Sequence, residues 1–216
     1  WGGRYVAKNL GDEEKLWNSA DLGLNLYYVL PGDYGELGVG FVNGAGYKKA
    51  TDTDANKELW IHAALSPFAG LGDLAKRFKL AMLLQYDIPV VSDATQHLLA
   101  SALVGYQGTW VQAGYQLIMD IDDMGGDADA MGLGHAAYLR LNSPWKVGLL
   151  GRAAIWDADL ATKDVQTKYE VLGGVFYKPF SLFEVALSAS GAWRSGLSGV
   201  EEEADIRVLL STLFAL

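Results

Sequence analysis

The sequence predicts an all-β fold, specifically a transmembrane antiparallel up-and-down β-barrel. Three observations carry this reading. About eleven segments alternate apolar and polar residues, the connections between them alternate short and long, and aromatic residues gather at segment ends. The segments run to roughly nine to thirteen residues, the length a tilted membrane strand needs. Strands in soluble proteins are usually nearer ~5–6 residues.

The final segment, 203–216, shows the alternation most clearly. Ile206, Val208, Leu210, Thr212, Phe214 and Leu216 fall on one face, and Asp205, Arg207, Leu209, Ser211, Leu213 and Ala215 on the other. Strand side chains alternate with period two, so one face is apolar throughout and the other carries an acid, a base and a hydroxyl.

Composition narrows the classes. The 216 residues suffice for one large domain. Half are hydrophobic, and glycine, at 26, far outnumbers proline, at five. No run approaches the ~20 apolar residues of a membrane helix. A membrane protein of this composition therefore has to be a barrel, the other solution that pairs every backbone group in hydrocarbon. The absence of cysteine fits an exported chain that does without disulfides. A formal charge of −9 argues against nucleic acid as a partner. The chain opens at Trp1 with no signal segment, as a mature or trimmed chain would.

In order, residues 1–18 show no clean period and form a leading loop or short helix, and 19–216 form the barrel domain. Strand one alternates through Leu22, Leu24, Leu26, Tyr28 and Leu30 into a Pro31-Gly32-Asp33 turn. Later strands occupy 35–43, 57–66, 78–87, 96–107, 109–120, 131–141, 145–156, 165–178 and 182–194, before the closing strand. Connections are tight after strands one, five, seven and nine and longer after two, six, eight and ten. Outer-membrane barrels show this asymmetry, with short periplasmic turns. On that assignment the chain starts outside and ends in the periplasm. An odd count then implies at least one strand upstream, in a barrel of about twelve to eighteen strands. Alternatively, residues 1–8 are themselves a short strand.

Aromatic placement separates a membrane barrel from a soluble, lipocalin-like one that carries an apolar ligand. On the proposed outer face Tyr28, Phe78, Tyr106, Trp145, Tyr177, Phe183 and Phe214 lie at the short-turn ends, and Phe41, Tyr86 and Trp193 at the long-loop ends. Two such bands are the girdles expected at two membrane–water interfaces. The opposite face carries Glu36, Glu58, His62, Lys79, Asp87, His97, Arg140, Lys146, Arg152, Lys168, Glu170, Lys178, Glu184, Arg194, Asp205 and Arg207. A dry core would charge several kcal/mol for each unpaired ion. A water-filled lumen removes most of that cost, so these side chains are expected to line a pore. Inward glycines such as Gly38, Gly40, Gly132, Gly134 and Gly148 widen it or let a loop pack inside.

The stretch 19–49, SADLGLNLYYVLPGDYGELGVGFVNGAGYKK, resembles a recurrent segment of Gram-negative outer-membrane porins, notably the phosphate-selective-porin-like group. ADLG opens a strand, and VNGAGYK ends one at an outer loop; the preceding GRYVAK resembles the lead-in. The closing strand is similar to the C-terminal signal of outer-membrane proteins, departing from it by ending on Leu216 with Phe214 two places earlier. The resemblance implies a diffusion channel for small hydrophilic solutes in the bacterial outer membrane, in contact with membrane lipid and lipopolysaccharide, and it allows a homotrimer. It brings no cofactor and no phosphate-binding lysine cluster.

Several features have two readings. Lumen bases concentrate in strands seven to eleven and Glu36, Glu58 and Asp87 in strands two to four. The split either sets a transverse field favouring anions on one wall or forms cross-strand salt bridges. His62 and His97, with Ser101 near His97, could evoke a lipase, but no nucleophile elbow occurs and these two histidines are assigned inward, so no enzyme is expected. The loop 120–129 (DIDDMGGDAD) fails the EF-hand template, with Met124 and Met131 at ligand positions, and no metal site is assigned. Lys48 and Lys49 sit in a solvated loop. A closed, side-chain-filled barrel serving as an anchor is the alternative to the channel.

Overall fold

The computed structural model describes residues 10, 23–43, 56–89, 96–123, 130–160, 167–180, 183–195 and 205–214. Expectations for the rest of the leading segment, the Lys48–Lys49 loop, residues 124–129, Leu216 and the side chain of Phe214 lie outside the described residues.

Eleven strands form one antiparallel sheet in strict chain order. They are β1 (Gly23–Leu30), β2 (Gly35–Val42), β3 (Asn56–Leu65), β4 (Phe78–Pro89), β5 (Gln96–Gln107), β6 (Val111–Asp123), β7 (Ala130–Asn142), β8 (Val147–Asp157), β9 (Thr167–Phe180), β10 (Phe183–Ser195) and β11 (Asp205–Phe214). β1 and β11 are not paired with each other, so the sheet is an up-and-down wall that does not close on itself. The connections at one end are 31–34, 66–77, 108–110, 143–146 and 181–182; those at the other end are 43–55, 90–95, 124–129, 158–166 and 196–204.

Register aligns like with like. Leu26, Val39, Ile61, Leu84, Ala100 and Met119 form one row across β1–β6. Leu149, Val175, Leu187 and Leu210 form another across β8–β11. These rows lie on the exposed face. Burial alternates along β8, where Gly148, Leu150, Arg152, Ala154 and Trp156 are buried and their neighbours are not.

The sheet curls toward its charged face. Arg140 on β7 and Glu184 on β10 are separated by three strand spacings, about 14 Å in a flat sheet. Their side chains nevertheless meet at 2.7 Å. A cavity of about 480 Å³ on the same face is lined by Gln112 of β6 as well as Leu213 of β11. Flat strands so far apart could not share it.

The first turn uses left-handed backbone at Gly32 (φ 69°), Asp33 (φ 62°) and Gly35 (φ 123°), conformations that glycine adopts freely and aspartate tolerates. Lys76 Nζ donates to Asp33 Oδ2 at 2.5 Å, tying this turn to the 66–77 connection. The hydrogen bond and charge of Lys76 hold the Asp33 carboxyl below its ordinary 3.8, and Asp33 raises Lys76 above its ordinary 10.5. The tie therefore contributes between those ordinary values. It is lost as pH falls through the lowered carboxyl value or rises through the raised amine value. Asp33→Asn should flatten the acid limb of an unfolding-midpoint titration, by a small amount because both groups are exposed.

Candidate functional site: the inner face of the sheet

The inner face has two unlike halves. On β7–β10 two ion pairs are buried. Arg140 bonds Glu184, and its guanidinium also lies 3.9 Å from the Phe176 ring centroid. Arg152, with a side chain 0% exposed, pairs with Glu170. Leu150, Leu172, Phe176 and Ala186 pack around these groups. From the sequence, either a wet lumen or cross-strand salt bridges would relieve the cost of these charges. Here the relief comes from partners, because the curl brings β7–β10 side chains within reach of one another. Lys168 and Arg194 face each other in register, and Arg207 bonds Asp205 at the exposed edge.

On β2–β6 the inner face is more acidic and more open. Glu36 Oε1 lies 3.3 Å from His62 Nε2. His97 bonds Asp120 and lies 3.7 Å from Asp87, with both carboxylates brought to it by neighbouring strands β4 and β6. Glu58 is on β3. Lys79 Nζ donates to Ser66 Oγ at 2.5 Å. Ser101 Oγ accepts from Gln116 Nε2 at 3.1 Å, so the serine is held by the wall and His97 by carboxylates.

Between the halves sits a contact the sequence did not reveal. Leu10, from the leading segment, is 1% exposed against Leu99, Ile118, Ala136, Tyr138, Ala154 and Trp156. Its backbone N–H donates to the Tyr138 hydroxyl at 3.3 Å. That hydroxyl donates to Gln116 Oε1 at 2.7 Å, extending a chain of hydrogen bonds to Ser101. Gly134 makes the room: a Cβ there would stand 2.7 Å from Leu10 Cδ2 and 2.6 Å from Trp156 Cε3. The hint available in sequence was the run of inward small residues.

Two assignments need correction. Lys146 was expected within a strand of the lumen wall; it lies instead in the 143–146 turn with φ 65°, where it donates to the Pro179 carbonyl at 2.7 Å and still lines the inner-face cavity with Arg140 and Glu184. Trp145, expected at the start of a strand, is also in that turn, 80% exposed. The left-handed residue ends the turn, and β8 begins after it.

On the outer face, Phe78 meets Tyr106 edge-on at 5.2 Å and Phe68 at 6.1 Å. Tyr28, Tyr177 and Phe41 are exposed, as is Trp193, which stacks on Tyr169 at 5.7 Å. Phe183 is half-buried, and the Tyr86 hydroxyl donates to Gln96 at 3.1 Å. Tyr169 and Phe68 add rings to this face that the sequence did not single out; Tyr169 shares the parity of Tyr177 and could have been found that way, whereas Trp110 lines the cavity of about 480 Å³ on the inner face. The apolar belt is interrupted at Tyr115 and His135, which share a 2.5 Å hydrogen bond. A trough of about 760 Å³ runs over this face, lined mainly by apolar side chains including Leu26, Val39, Ile61, Leu84 and Ala102.

Among the described residues no group of three or more His, Cys, Asp or Glu could hold a metal. No described helix is long and apolar enough to cross a membrane, which has no bearing on strands. Neither a family model nor a curated protein matches this chain.

Proposed function

We propose that this chain is part of an outer-membrane porin, resembling the phosphate-selective-porin-like group, that passes small hydrophilic solutes by passive diffusion. The observation that supports it most is the inversion of the two faces. Leucines, valines and isoleucines line the exposed side of the sheet, while the buried side holds Arg140, Arg152, Glu170 and Glu184. A soluble protein has strong reason to do the reverse. Lipid on the outer face, with aromatic rings at both strand ends, gives the arrangement a solvent that suits it. Lipopolysaccharide would meet the long-loop end. In the lumen, pore radius and wall charge set the barrier. Glu184 and Glu170 neutralise Arg140 and Arg152, and Asp205 pairs with Arg207, so the paired wall sets no strong lean toward anions.

The second reading, a side-chain-filled barrel with an anchoring role, is favoured by the Leu10 contact and the dry β7–β10 wall. Planar-bilayer recording decides between them. Stepwise current increments on adding the complete protein are the expected result, and a silent bilayer favours the filled barrel. In a conducting protein, Leu10→Asp should raise single-channel conductance. The carboxylate would leave the apolar socket, since burying it unpaired costs several kcal/mol. Unchanged conductance would mean that Leu10 does not narrow the path.

A further inference from the structure

On the inner side of β1–β3, three rings converge where the wall has no side chain of its own. Tyr27 on β1 is in register with Gly38 and His62, and Asn25 with Gly40 and Trp60. Tyr27, Trp60 and His62 lean over the glycines of β2 until they meet. Ring centroids are 5.9 Å apart for Tyr27–Trp60, 5.6 Å for Tyr27–His62 and 5.5 Å for Trp60–His62. A Cβ at Gly40 would run into the indole of Trp60, and one at Gly38 into the ring of His62. The two glycines are what allows the rings to come together.

The platform keeps free surface and a charge. Tyr27 is 58% exposed, and the Glu36 carboxylate beside His62 is itself about half exposed. Rings packed over glycine stiffen a sheet. That role needs neither an open ring face nor a carboxylate at its rim. Aromatic faces attract cations through the ring quadrupole, with Trp the strongest. Asp87 and Asp120, gathered about His97, continue the acidic character along the same wall.

We propose that Tyr27, Trp60, His62 and Glu36 form a weak binding station for organic cations of the alkylammonium type. It rests on the porin reading for its route to solvent, though not for its binding chemistry. The cation's methyl groups lie on the ring faces, and Glu36 supplies the opposite charge. A neutral sugar could stack on the rings, but it would leave the carboxylate unused.

The test titrates the full chain in detergent micelles with tetramethylammonium chloride, against sodium chloride at equal ionic strength. Saturation-transfer NMR on the methyl protons gives the affinity. Saturable binding is expected, weakened at least about threefold by Trp60→Leu, largely kept in Trp60→Phe and reduced in Glu36→Gln. Methyl glucoside should show no saturable transfer. The proposal is overturned if tetramethylammonium binding does not saturate, if Glu36→Gln or a folded Trp60→Leu leaves it unchanged, or if methyl glucoside binds as well. Should Trp60→Leu fail to fold, Trp60→Phe and Glu36→Gln carry the decision. Binding without bilayer conductance removes the channel and leaves the station; conductance without binding removes the station alone.

Discussion

Leu187→Arg is expected to lower folding stability in a bilayer by about 2–4 kcal/mol, the depth-dependent cost of an arginine on the lipid face of a barrel near mid-membrane. Leu187 lies within β10, between Val175 and Leu210 in register, and is 52% exposed. In a water-soluble sheet a half-exposed leucine can be replaced by arginine with a change usually within about 0.5 kcal/mol. The same substitution therefore reads which solvent the outer face meets. Reversible unfolding in urea from lipid vesicles, followed by gel mobility of the folded form, gives the difference. A change near zero would remove lipid from this face and take the porin reading with it.

Arg152→Ala should be at least as damaging, by about 3–5 kcal/mol, because it leaves Glu170 in a buried wall without its principal partner. Arg152 is buried among Ala154, Leu172 and the neighbouring strand, and Glu170 is largely buried beside it. Replacing both at once, Arg152→Met with Glu170→Leu, should recover most of the loss, since an apolar pair of similar volume needs no desolvated charge. The same urea titration measures both variants. A single-variant cost under about 1 kcal/mol would mean that water reaches Glu170. That outcome would make the β8–β9 wall wet, as the sequence alone led us to expect.

Strand existence and face were legible because period-two alternation is local. Leu149, Val175 and Leu187 could be placed outward, and Arg152 and Glu184 inward, from neighbours in sequence alone. The start of β8 was not legible. Trp145-Lys146-Val147 continues the alternation, and nothing in the pattern marks Lys146 for the left-handed backbone it adopts. Cross-strand salt bridges on the inner face were one of two readings, but which residues pair was hidden. Arg140 finds Glu184 across two intervening strands, and that choice depends on how tightly the sheet curls. Least legible was Leu10, whose partner Tyr138 is far away in the chain. An isolated leucine in an aperiodic, charged stretch gave no sign of burial, although Gly132 and Gly134 marked where the wall had space. The ring platform was half visible: the glycines of β2 were noted as widening the lumen, whereas the rings of Tyr27 and Trp60 fill what they vacate.

The rims of the sheet carry a further consequence. Among the described residues β1 and β11 are each hydrogen-bonded on one flank only, so their other flanks offer rows of amides and carbonyls ready to add another strand. If those flanks are left uncovered, neighbouring copies can dock there and lengthen the array sideways, as in fibre growth. Whatever covers those flanks therefore also guards against polymerisation.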